Sequence, residues 1–231
     1  MECPLANLQI KVETINQSSQ NRCPFHAHSG LPADSKIHHA VPLVVRDGSH
    51  QVSEGTANLL HDIGGGDRIR EFCTRFYARA FLDHTLKPFF FKDDGATAHA
   101  RRLADWIIEK MGGEGRPWSD SGRFGMRQPS HHAAWNSDKR APEVRGEHFK
   151  LDDCRIWMRL HFWAMRECGM HQHEAFWNWY VEFIEHFVAV YERRAPRYAE
   201  EDSQWSANPV NIEHYIAQNY QMLDVIGIGR N

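Results

Sequence analysis

Cysteine is scarce in this 231-residue chain: five residues, odd in number and widely scattered. No Cys-x-x-Cys pair occurs, so a disulfide framework and the usual zinc-finger spacings are excluded, and a reducing cytosol is the expected setting. A basic excess is also missing. The formal net charge of −3 argues against a surface built to hold nucleic acid. No stretch of 18 residues is free of charge, which argues against a membrane-spanning helix. The first 20 residues carry Glu2, Lys11 and Glu13 and no apolar run, so no secretory signal is expected. The familiar enzyme signatures are absent too. There is no His-Glu-x-x-His and no Gly-x-Ser-x-Gly, and Gly64-Gly65-Gly66-Asp67 lacks the Lys-Ser/Thr ending of a phosphate loop.

What is abundant is histidine, 16 residues, and aromatic side chains, 12% of the chain with eight tryptophans. That pairing invites a metal or a flat aromatic ligand. Residues 1–52 are rich in Gln, Ser, Asn, Pro and His with poor periodicity. They read as an extended or partly disordered arm with a short strand at Val41–Val45. From Ser53 helical patterning takes over. A short helix at 53–61 ends at Gly64-Gly65-Gly66. The next helix places Ile69, Phe72, Cys73, Phe76, Tyr77, Ala80 and Phe81 on one face, and stops near Asp83-His84. Phe89-Phe90-Phe91 marks a corner. A helix from about Thr97 to Met111 carries His99, Leu103, Trp106 and Lys110 on one face, with Gly112-Gly113 at its end. Residues 114–150 are loop-rich. Helices at 152–167 and from His173 to about Arg194 follow, the second striped by Phe176, Tyr180, Phe183 and Phe187. Pro196 opens a tail with a short helix at 211–223. The fold class expected is all-α, organised as an arm (1–52), a helical domain (53–195) and a C-terminal tail (196–231).

Few residues can carry chemistry. Cys23-Pro24-Phe25-His26-Ala27-His28 offers up to three ligands but no second pair, so a solvated segment is favoured over a zinc site. Glu109, Glu143 and Glu147 have no spacing of an acid–base pair and read as surface charges. Cys73 and Cys154 lie on apolar helix faces and read as core. Tyr77, His99 and Trp157 each lie on the inward face of a different helix. Buried, each polar tip needs a partner. Core filling with backbone partners is one account. A polar ligand at a flat apolar cofactor such as haem is the other.

Beyond that point the chain resembles the truncated (two-over-two) haemoglobins, in particular their group II branch. The resemblance is carried by Ile63-Gly64-Gly65 before Phe76-Tyr77-Ala78-Arg79, by Leu82 through Phe90, by Arg102-Leu103 before Met111-Gly112-Gly113, and by Ile156-Trp157-Met158-Arg159. It spans roughly residues 55–194, with a spacing of 13 from Tyr77 to Phe90. It implies a globin-like two-over-two helical sandwich with haem b as cofactor. It implies Tyr77 as the distal tyrosine, Phe90 against the porphyrin, His99 and Leu103 facing the sixth coordination site, and Trp157 as a second distal donor. The proximal iron ligand falls in the segment 122–150, where His131 is favoured over His132 and His148. The chain departs from the family in an insertion at about 136–147 and in its two extensions. Arg101, Arg102, Lys139 and Arg140 are candidate partners of the haem propionates, or simply solvated charges.

The function expected from the resemblance is reversible binding of oxygen or another diatomic ligand, nitric oxide or carbon monoxide. Two hydrogen bonds to such a ligand, at about 1.5–3 kcal/mol each, slow its escape by roughly 10²- to 10⁴-fold. An enzyme is the alternative: nitric oxide dioxygenation or peroxidase-like turnover, with His99 moving a proton and an external reductase supplying electrons. A cofactor-free helical interaction protein is a third possibility, and a sensor acting through the 136–147 insertion a fourth.

Overall fold

The computed structural model describes residues 40–228. Most of the N-terminal arm, including the Cys23–His28 segment, lies outside them. The architecture is all-α, with one two-stranded antiparallel hairpin at its start. The expected strand at 41–45 is shifted. It is the hairpin β1 (Val45–Arg46) and β2 (Ser49–His50). The reason is the dipeptide Asp47-Gly48, both at positive φ (50° and 72°), which is the two-residue turn that matches strand twist. The hairpin delivers His50 into the helices, where its Nε2 meets the Lys110 carbonyl at 2.9 Å.

Helix α1 (Glu54–Asp62) starts at a capping box. Ser53 Oγ accepts from Thr56 N, and Thr56 Oγ1 accepts from Ser53 N. Helix α2 (Gly65–Ala80) buries Ile69, Phe72, Cys73, Phe76 and Ala80, the stripe expected from the pattern. Helix α3 (Gly95–Met111) ends at Gly112, whose φ of 86° suits only glycine well. Its neighbour Gly113 is required by space, since a Cβ there would sit 2.1 Å from a Leu60 methyl. These three helices pack on one another, and α2 also packs on α5 (Leu151–Glu167). Helix α6 (Glu174–Val188) begins where His173 Nδ1 accepts from Phe176 N. It ends six residues before the expected Arg194. One segment differs in kind from expectation: the loop-rich stretch contains a true helix, α4 (Arg127–Trp135). The tail holds the expected short helix, α8 (Pro209–Ala217), starting two residues early and ending six residues short of 223, and a further one, α7 (Ala199–Gln204). Among the described residues no helix is long and apolar enough to cross a membrane.

The C-terminal segment is tied in by charge. Arg155 and Arg159 of α5 are both buried, and both bind the fully buried Asp202 of α7. Glu201 and Asp224 complete the network. Tyr215 of α8 donates to Asp83 at 3.0 Å, and the other Asp83 oxygen accepts from the amides of Thr85 and Leu86. Breaking a buried pair by removing one partner leaves uncompensated charge. Asp202→Ala is therefore expected to cost roughly 3–5 kcal/mol in urea unfolding. Asp224→Ala, removing a partly exposed partner, is expected to cost much less.

His161 of α5 is fully buried and neutral, because burial holds its pKa down at about 3. The unfolded chain takes up that proton near pH 6.5 and the folded chain does not. The sign follows. The contribution to stability is intact above about pH 6.5 and is lost as pH falls toward 3, at no more than about 1.4 kcal/mol per pH unit. Urea midpoints should be level above pH 7 and fall between pH 6.5 and 5. The fall should be shallower in His161→Phe; an unchanged slope would contradict this.

Candidate functional site

A cavity of about 250 Å³ lies among α2, α3, α4, α5 and α6. All six residues expected at a ligand site, Tyr77, Phe90, His99, Leu103, His131 and Trp157, line it. They reach it from five separate segments. Tyr77 and Trp157 lie on α2 and α5, His99 and Leu103 one turn apart on α3, and His131 on α4. Phe90 follows the turn Lys87–Phe89.

The cavity has two aromatic walls. In the first, Tyr77 meets Phe90 (ring centroids 5.7 Å) and His99 (5.5 Å), and Phe81 stacks flat on Phe90 at 4.3 Å. Trp157 joins this wall through Phe76, which touches both it and Tyr77. In the second wall His131 packs edge-on against Tyr191 (4.6 Å) and Phe149 (5.6 Å). Among the described residues no ring contact joins the His131, Phe149 and Tyr191 group to the Tyr77, Phe81, Phe90 and His99 group. Residues of both groups line the cavity.

The polar tips in this space are left without protein partners. The Tyr77 hydroxyl and the Trp157 indole N–H make no hydrogen bond within the described protein. Burial raises the Tyr77 phenol well above its ordinary pKa, so it stays a donor. His99 is different. Its Nδ1 lies 3.0 Å from the Gly95 carbonyl, which can only accept, so Nδ1 carries the hydrogen. Burial lowers its pKa, against the pull of the Asp94 carboxylate 3.3 Å from Nδ1, which favours the neutral ring with Nε2 as an acceptor. His131 makes no hydrogen bond at either nitrogen, and its Nδ1 is sealed from solvent. Burial, helped by the Arg127 charge, lowers its pKa to about 3. A neutral imidazole with free nitrogens is the form that binds a metal.

The rival histidines stand outside. His148 is exposed and stacks on Trp135 at 4.0 Å, and exposed His132 reaches only the edge of Trp135. Neither lines the cavity. The basic candidates separate as well. Arg102 lines the cavity and pairs with Asp94. Lys139 binds Asp93 and the Phe90 carbonyl (2.8 Å). Arg140 is buried and holds the carbonyls of Trp135 and Glu147, so it closes the inserted loop on itself. Arg101 is exposed. Glu109, expected as a free surface charge, instead accepts from the backbone and hydroxyl of Ser119. Cys73 is core as expected, and Cys154 is buried but faces the cavity.

Trp106 lines the cavity from the face expected to carry His99 and Leu103, and several lining residues were not foreseen, among them Arg127, Phe149 and Tyr191. Arg127 lies four residues before His131, hence on the same face of α4. Tyr191 continues the α6 stripe one turn beyond Phe187. The period of Arg127 is visible only once α4 is known to be a helix, whereas that of Tyr191 is written in the stripe before it.

Among the described residues no three His, Cys, Asp or Glu side chains gather as a metal-binding group. A bare ion therefore has no cage here. A metal that brings its own flat ligand set needs only one protein imidazole, and His131 fits that role. Comparison with protein-family models, with characterised proteins and with solved structures finds no match for this chain.

Proposed function

We propose that this chain is a haem-binding globin of the two-over-two type that reversibly binds oxygen or another diatomic ligand. The observation that carries the reading is His131, an imidazole with no hydrogen-bond partner among the described residues, lining one cavity with Tyr77 and Trp157, two donors that likewise make no hydrogen bond to the described residues. His131 would hold the iron. The apolar lining, with Phe90 and Leu103 in it, would take the porphyrin faces. When bound, haem supplies an open iron position that takes oxygen, nitric oxide or carbon monoxide. Tyr77 Oη and Trp157 Nε1 can donate to a ligand that gathers negative charge, in a setting dry enough to strengthen such bonds. The globin-like arrangement of the helices belongs to the same proposal.

His99 favours a second reading, as an enzyme. Its neutral ring leaves Nε2 as an acceptor, so it takes a proton rather than giving one to the ligand. That suits peroxidase-like turnover, or nitric oxide dioxygenation with an external reductase. Steady turnover with a supplied reductant that disappears in His99→Ala would favour it.

Protein purified with haem is expected to show a strong Soret band that is lost or shifted in His131→Ala and kept in His132→Ala and His148→Ala. A band kept in His131→Ala would remove the iron-ligand assignment; no band in any of them would remove the haem reading. Tyr77→Phe and Trp157→Phe should each speed oxygen release by roughly 10- to 10²-fold, the worth of one charge-assisted hydrogen bond. Unchanged release rates would refute their role as donors.

A further inference from the structure

Trp157 is held by nothing polar. Its indole lines the cavity, its ring takes the edge of Phe76 at 5.6 Å, and its face lies on His161 at 4.3 Å and 23°. Residues four apart on α5 share a face, which is why the two rings stack. Stacking alone leaves an aromatic ring free to slide and turn in its plane. An indole that must aim its N–H at a ligand cannot be left so.

His161 is not free to turn. It is fully buried, and its Nε2 is hydrogen-bonded to Tyr180 Oη at 2.9 Å. Tyr180, itself fully buried on α6, sets its ring parallel to the imidazole at 5.7 Å and 9°, and Phe72 and Phe76 close the imidazole's edges. The arrangement leaves a polar atom unsatisfied: His161 Nδ1 is sealed in the core without a partner. Phenylalanine or leucine would fill the same space with no orphaned nitrogen, so filling the core does not account for a histidine here.

We infer that His161 and Tyr180 are positioning residues for Trp157: their directional bond fixes the imidazole plane, and that plane fixes the indole in the cavity. This rests on reading Trp157 as a donor to a bound ligand. The pair sits behind the tryptophan and touches no ligand itself.

The test uses full-length protein labelled with 5-fluorotryptophan. Trp157→Phe assigns one of the eight tryptophan fluorine resonances. In Tyr180→Phe, which removes one oxygen, the Trp157 line should broaden or split while the others stay in place. His161→Phe, which keeps a ring beneath the indole but loses the bond to Tyr180, should broaden the same line. In the haem-loaded protein, Tyr180→Phe should speed oxygen release about tenfold, and the effect should vanish in a Trp157→Phe background. An unchanged Trp157 line, or a release effect that persists without Trp157, would reduce the pair to core packing. If the protein takes up no haem the parent reading fails, and the fluorine spectra still decide the positioning claim.

Discussion

Helix α5 is enclosed on all sides, and it carries charge and imidazole into that enclosure. Every residue from Leu151 to Met165 is buried except Trp157, whose ring lines the cavity. A helix in this position must satisfy each polar group it brings, because water cannot. Arg155 and Arg159 would each cost several kcal/mol as unpaired buried charges. Their need for Asp202 is what makes the C-terminal segment part of the fold. The same segment returns through Gly227, whose amide reaches Asp152, and through Tyr215, which reaches Asp83. Asp83 in turn fixes the start of the corner that ends at Phe90. One cavity wall thus depends on residues more than a hundred positions further along the chain.

The helices were legible because their signal is local. Ile69, Phe72, Phe76 and Ala80 recur at helical spacing, and glycines or caps mark the ends near 64 and 112. Tyr77, Phe81 and His99 of the first wall were legible for the same reason, each lying on a regular stripe, whereas Phe90 at its corner was picked out by the resemblance. The α4 helix was not. Arg127 to Trp135 has a weak stripe, contains Pro129 and sits among glycines, so turn signals outweigh periodicity. Its existence depends on Phe149 and Tyr191 packing against His131, contacts that no window along the chain reveals. How the tail docks was hidden for another reason. Asp202 reads as surface charge until two arginines some 43 and 47 residues earlier are brought to it.

The choice among His131, His132 and His148 shows the same division. The sequence alone leaves three histidines in one loop-rich stretch, separated only by argument about adjacency and spacing. Helical geometry separates them by direction. On α4, neighbours point about 100° apart, so only one of His131 and His132 can face the cavity. His148 falls beyond the inserted loop, where Arg140 and the Gly146 amide, bonded to the Trp135 carbonyl, turn the chain away.

The cavity itself is costly to keep. Protein interiors close on voids of this size, because lining atoms lose their dispersion partners and the lost contact is worth on the order of 20 cal/mol per Å² of cavity surface. Unpaired Tyr77, Trp157 and His131 add to that cost, each forgoing a bond that a small shift of the backbone could otherwise supply. Large aromatic side chains resist collapse, since Phe81 on Phe90 and Phe149 against Tyr191 form walls that cannot interpenetrate. A ligand that fills the gap, offers a metal to His131 and accepts from Tyr77 and Trp157 removes every one of these costs together. Its binding free energy is then added to the stability of the fold in proportion to the logarithm of its concentration over its dissociation constant.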